Sequence, residues 1–182
     1  MQIPGVPLIF LKPSTAVIGP EDKIIYPTVS KRVDYEGELA VVIGRKAKAV
    51  DRVMAKEFIL GYTCLNDVSA RYEQRDDGQW TRAKSYDTFA PIGPYIETEV
   101  SPDDLKLETY LNGDLRQSTR TGDRIFPVDM LVSFISNITT LLPGDVIATG
   151  TPSGIGPMKP GGVVEVKVEH IGTLRNYVLA QK

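Results

Sequence analysis

Three acids define the chemistry open to this chain: Glu36 and Glu38, two residues apart, and Asp67 further along. An all-oxygen donor set suits a hard divalent cation such as Mg²⁺, which takes an octahedron of oxygens and keeps positions for water or substrate. Arg71 and Gln74 follow Asp67 at short spacing and add a cation and an amide. Simpler readings stand beside this one. Glu-x-Glu is also the pattern of a solvated strand face, and an acid, an arginine and a glutamine in this order also make a surface stripe.

The elements that must position these groups follow from pattern. Residues 33–44 are rich in Val, Leu and Ile and end at Gly44, which predicts a strand. On one strand Glu36 and Glu38 face the same way, roughly 7 Å apart. The apolar run 58–65 predicts a second strand, and Asn66 or Asp67 a helix start. Asp67, Arg71 and Gln74 would then fall at i, i+4 and i+7 on one helical face. Upstream, residues 8–13 read as a short apolar strand whose Lys12 is ordinarily a solvent-facing end charge. A short strand is expected at 23–26, and a short helix at 49–57 capped by Asp51. Residues 75–87 form a polar loop that Trp80 could anchor.

Further on, Asn112-Gly113 marks a hairpin. The apolar spacing over 128–139 predicts an amphipathic helix on a sheet. Strands are expected at 146–148, 163–168 and 174–180. The glycine-rich turn 149–156 lacks the Gly-Lys-Ser/Thr ending of a P-loop. It would either offer backbone N–H groups and a threonine hydroxyl to a carboxylate or be a purely structural turn. Many short strands and few helices predict a β-rich, rolled or barrel-like α+β fold.

The chain has 182 residues, a length that suits a single catalytic domain over 1–182. Its net charge of −2 supplies no basic footprint for nucleic acid. Apolar stretches are too short to span a bilayer and no signal peptide is evident, so a cytoplasmic protein without membrane partners is expected. Cys64 reads as a small buried hydrophobe. His170 is the sole histidine, which makes Ser-His-Asp, Cys-His and His-rich zinc sites hard to build. It reads as structural or surface.

Taken together, Phe10-Leu11-Lys12-Pro13-Ser14, the run from Asp34 to Gly44, Gly61-Tyr62-Thr63, Asn66 to Arg71, Gln79-Trp80, Ala83-Lys84-Ser85 and Thr149 to Gly154 resemble the fumarylacetoacetate hydrolase family, specifically its C-terminal catalytic domain. The pieces fall in family order over nearly the whole chain. The resemblance implies a mixed β-sandwich roll, often a homodimer, with Mg²⁺ or Mn²⁺ held by Glu36, Glu38 and Asp67. By the same match Lys84, Arg71 and Gln74 would be catalytic. Lys12, Thr151 and Gly150 would contact the substrate, the last two in the loop that holds its carboxylate.

The implied substrate is a small 2-oxo acid or its enol. The implied reactions are acylpyruvate or fumarylpyruvate hydrolysis, hydroxyhepta-diene-dioate isomerisation, and decarboxylation of oxaloacetate-like acids. Relatives carry an Asn-Tyr-x-x-His-x-x-Glu stretch on a lid, before the segment matching residues 8–10. This sequence begins after that point, so weak hydrolysis beside retained enolisation is expected. The alternative is a catalytically impaired homologue that binds metal and carboxylates.

Overall fold

The computed structural model describes residues 4–182, which form thirteen strands in three sheets. The first sheet has the order β1 (Val17–Ile18), β7 (Ala90–Glu97), β5 (Ile59–Asn66), β4 (Gly37–Ile43) and β10 (Val146–Ala148). The second has the order β2 (Lys23–Tyr26), β13 (Gly172–Ala180), β12 (Val163–Val168), β8 (Lys106–Leu111) and β9 (Asp114–Arg120). A small third sheet joins β11 (Gly156–Pro157), β3 (Val33–Tyr35) and β6 (Ser69–Ala70). Only β1–β7 and β2–β13 pair in parallel, so the architecture is the mixed, β-rich α+β roll that the sequence implies.

The two large sheets share one core. Leu39, Val41 and Cys64 of the first pack with Leu107, Val166 and Leu174 of the second and with Val128 and Val132 of helix α3 (Val128–Ile138). Every residue of β4 is buried, which explains its continuous apolar run. β12 and β13 bury alternate residues and leave the others accessible. Burying one such aliphatic side chain contributes roughly 1.5–3 kcal/mol. Asn112 and Gly113 take φ of 54° and 85°, the paired positive values that a two-residue hairpin turn between β8 and β9 needs. Asp51 caps its helix by accepting from Val53 N at 2.9 Å, and the helix, Arg52–Phe58, is a 3₁₀ helix.

Three local expectations are corrected. Residues 33–44 are not one strand: β3 belongs to the small sheet, β4 to the large one, and the chain crosses between them at Glu36. There the Glu36 N–H leaves the ladder and donates to Asn66 Oδ1 at 2.9 Å. The helix expected from Asn66 or Asp67 starts instead at Arg71, as α1 (Arg71–Asp76). Ser69 and Ala70 pair with Asp34 and Val33, so their backbone groups are committed to a sheet. Residues 8–13 form no strand. Leu8 and Leu11 are exposed there, while Phe10 lies against Trp80, ring centroids 5.3 Å apart.

Candidate active site

The crossing at Glu36 and the end of β5 bring the acids together. Asp67 N donates to Glu36 O at 2.8 Å, locking the two junctions side by side, while Glu38 is held inside β4. Gly37 between them fits because a Cβ there would stand 2.0 Å from Thr109 Oγ1. The result is a buried cluster in which one carboxylate oxygen from each of Glu36, Glu38 and Asp67 lies within 4.8 Å of the others.

Cations arrive from less regular segments. Lys84 closes the short helix α2 (Thr81–Lys84) and is itself buried. Its Nζ donates to Glu36 Oε2 at 2.9 Å and to Asp67 Oδ2 at 2.5 Å, and lies 4.8 Å from the centre of the Phe10 ring. Lys12 donates to Asp67 Oδ1 and, at 3.0 Å, to Val68 O. Arg71 donates to Glu36 Oε1, to Asp34 Oδ2 at 3.0 Å and to Gln74 Oε1 at 2.5 Å. Behind it, Arg32 grips the fully buried Asp34 through two nitrogens, at 2.8 and 3.0 Å.

Glu38 differs from its neighbours. Among the described residues no cation pairs with it, and its one donor is Gly150 N at 2.7 Å. Burial, reinforced by the charges of Asp67 and Glu36, pushes its carboxyl up to about 8. For Lys84, burial pulls the ammonium down, but Asp67 and Glu36 more than offset it and leave it above its ordinary value. Burial sets Lys12 below its ordinary value, against the pull of Asp67.

This charge pattern tests whether the site suits a divalent cation. Four carboxylates (Asp34, Glu36, Glu38, Asp67) face four cations (Arg32, Lys12, Arg71, Lys84). Yet none of those cations bonds Glu38, and burial, with Asp67 and Glu36 beside it, disfavours its ionised form. Further positive charge beside it would favour ionisation. A hard dication supplies that charge and fits the all-oxygen donors.

The acids open onto a cleft of about 500 Å³. Arg71, Gln74, Lys84, Gly150 and Thr151 line it. Lys12 does not line it and meets the site through Asp67. Trp80 and Phe10, packed on each other, form one wall, and residues from 119–126 contribute another. The Thr151 hydroxyl donates to Gly37 O at 3.0 Å and accepts from Gln117 Nε2 at 2.9 Å. Gln117 also accepts from Gly37 N at 3.0 Å, so one buried amide ties the glycine-rich turn to the acid-bearing strand. Gln117, Asp34 and Arg124 were not expected in this neighbourhood. The one hint for Gln117 was an amide inside a strand polar but for Leu115. His170 lies exposed in the turn between β12 and β13, with φ of 62°, away from the cleft.

The family model described as the fumarylacetoacetate (FAA) hydrolase C-terminal matches residues 1–179. The chain belongs to this family. A protein of Methanocaldococcus jannaschii, described only as uncharacterized, is 56% identical over 178 residues, covering 98% of this chain and 75% of its own length. A mitochondrial oxaloacetate tautomerase of Rattus norvegicus is 38% identical over 190 residues, covering 98% of this chain but 61% of its own length. Among solved structures, the 5-carboxymethyl-2-hydroxymuconate delta-isomerase of Mycobacterium smegmatis superposes with a TM-score of 0.97 at 52% identity, over 100% of this chain and 72% of its own. The 2-hydroxyhepta-2,4-diene-1,7-dioate isomerase of Mycobacterium marinum does so with 0.97 at 52%, over 98% and 71%. Related proteins are therefore enzymes of the isomerase and tautomerase type. No helix among the described residues is long and apolar enough to cross a membrane.

Proposed function

We propose that this chain is a divalent-metal-dependent enzyme that interconverts 2-oxo acids and their enols, with the same enolate chemistry serving isomerisation, hydrolysis or decarboxylation of such acids. The observation that carries this reading is Glu38: a buried acid without a cation, grouped with Glu36 and Asp67. In this reading Glu36, Glu38 and Asp67 hold Mg²⁺ or Mn²⁺. When bound, the ion would supply Lewis acidity toward the adjacent oxygens of a 2-oxo acid.

The chain's own groups do the rest. Lys84 stays an ammonium at neutral pH, because Asp67 and Glu36 outweigh its burial. It therefore enters the reaction as the acid: the enol hydroxyl gives its proton to water, the Nζ proton passes to the substrate carbon as the ketone forms, and water returns a proton to the neutral amine. Arg71, fixed by Asp34 and Gln74, presents a second positive charge to the oxygen on which negative charge develops. The Gly150-Thr151 turn orients the substrate carboxylate. Phe10 and Trp80 beside Lys84 keep water from its ammonium.

The test combines Mg²⁺ calorimetry with turnover of enol-oxaloacetate, hydroxyhepta-diene-dioate and acylpyruvates, each with and without Mg²⁺. Metal-dependent ketonisation is expected. Bound Mg²⁺ with no turnover of any substrate would overturn the enzyme assignment, and no Mg²⁺ binding would overturn the site. A homodimer belongs to the same reading, supported by the exposed Val53, Met54 and Ile138 on adjoining helices. A monomeric mass by light scattering at micromolar concentration would count against it.

A further inference from the structure

Arg124 follows β9 in the cleft wall formed by residues 119–126. Its side chain is only 9% exposed. Nη1 donates to Pro102 O at 2.8 Å, and Nη2 lies 3.5 Å from a carboxylate oxygen of Asp103, a side chain that is itself 64% exposed. Nε is buried and, among the described residues, has no partner at all. Burial holds the guanidinium below its ordinary value, though not far enough for an arginine to lose its charge.

A buried charge with an unmet donor is costly unless something answers it. The other cations of the cleft have nearer carboxylate partners than the 3.5 Å of Arg124 and Asp103. Arg71 and Lys84 pair with buried carboxylates, and Arg120 pairs with Asp104. Asp123 stands in the same wall, but its carboxylate accepts from the Thr119 hydroxyl at 2.9 Å and from Arg120 N at 3.3 Å. Leu107 and Leu131 also line the cleft. An anion reaching Arg124 would therefore meet a partly desolvated donor with spare hydrogen-bonding capacity, where a charge-assisted bond is strong.

We infer that Arg124 forms an anion subsite, separate from the acid cluster, that takes the distal carboxylate of a dicarboxylic 2-oxo acid. Arg124 is then a specificity-determining residue. The inference rests on reading the cleft as a 2-oxo acid site, and it explains why a wall whose one acid, Asp123, is taken up by Thr119 and Arg120 carries a buried guanidinium.

A matched pair of ligands tests it. 2-Oxoglutarate and 2-oxopentanoate have the same chain length and differ at the far end, a carboxylate in one and a methyl group in the other. In the presence of Mg²⁺, calorimetry of the wild-type chain should show a preference of at least about tenfold for 2-oxoglutarate, the scale of one charge-assisted hydrogen bond. R124Q keeps a donor for Pro102 O and should reduce that preference to near unity. R124K keeps the charge and should retain part of it. In turnover, R124Q should raise KM for hydroxyhepta-diene-dioate by about tenfold or more while kcat, and KM for an acylpyruvate ending in a methyl group, stay within about twofold.

No preference in the wild type, a preference unchanged in R124Q, or equal weakening of both ligands overturns the subsite. Thermal melting of both variants identifies a loss that comes from unfolding, and R124K then decides. Failure of all turnover alongside an intact binding preference would remove the enzyme reading and leave the subsite standing.

Discussion

The carboxylates of the cleft and the cations that answer them come from different kinds of structure. Glu38 lies inside a strand paired on both sides, and Glu36 and Asp67 are joined to each other through the backbone. Lys12 comes from a segment without regular structure, Lys84 from the end of a four-residue helix, and Arg71 from the first position of a six-residue one. The acids are thus fixed by long-range backbone hydrogen bonds, and the cations largely by the reach of their side chains. The difference teaches that negative charge is built into the frame while positive charge is delivered to it. Cations should be removable with the frame surviving.

The largest expected effect tests the delivered side. Lys84→Met should lower kcat/KM by about 10²–10⁴-fold, the usual worth of a positioned acid. It also leaves two buried carboxylates short of a partner, which costs roughly 3–5 kcal/mol in the metal-free protein. Urea unfolding with and without Mg²⁺ checks the comparison, because added positive charge should recover part of that loss. An equal loss in both conditions would make Lys84 part of the frame and erase the distinction.

Next in size is the frame itself. Asp67→Ala should weaken Mg²⁺ binding by more than about 100-fold, since even outer-shell changes cost up to that much. Undiminished affinity by calorimetry would sink the proposed ligand set.

A pH series sharpens the role of Glu38. Its folded-state value of about 8 lies above the ordinary 4.5. The folded protein therefore holds this proton more tightly than the unfolded chain. The associated stability is full below pH 4.5 and is lost as pH rises toward 8. Metal needs the ionised form, so apparent Mg²⁺ affinity should rise about tenfold per pH unit below that value and level off above it. Glu38→Gln should flatten the profile and weaken binding. A flat wild-type profile would show that the acid is already ionised without metal.

The smallest effect belongs to Lys12, which bonds Asp67 but stays out of the cleft. Lys12→Met should cost about 2 kcal/mol or less and leave kcat within about twofold. A loss of activity on the scale of Lys84→Met, measured in the same assay, would place Lys12 among the groups that act on substrate.

Much of this was legible before any coordinates. The buried strand around Leu39 to Ile43, the Asn112-Gly113 turn, the Asp51 cap and helix α3 all follow from local rules of pattern and backbone conformation, and the structure has them. Glu36, Glu38 and Asp67 could be grouped by type and by the resemblance of their surroundings to a known family. What local reasoning mistook was how they meet. It placed Asp67 on a helix face with Arg71 and Gln74, whereas β6 intervenes and the helix starts after it. The pairing of Ser69 and Ala70 with β3 is a long-range event, invisible to a periodicity within one segment.

The sequence by itself determined which elements form and which donor atoms exist, because propensity, patterning and side-chain chemistry are properties of short stretches. Only the tertiary structure decided that Glu38 is the acid left without a cation, that Lys12 bonds Asp67, and that Arg124 is buried with a donor unmet. Each of those depends on burial and on neighbours far away in the chain. Desolvation and Coulomb energy are set by distance in space, and that distance exists only once the sheets have closed.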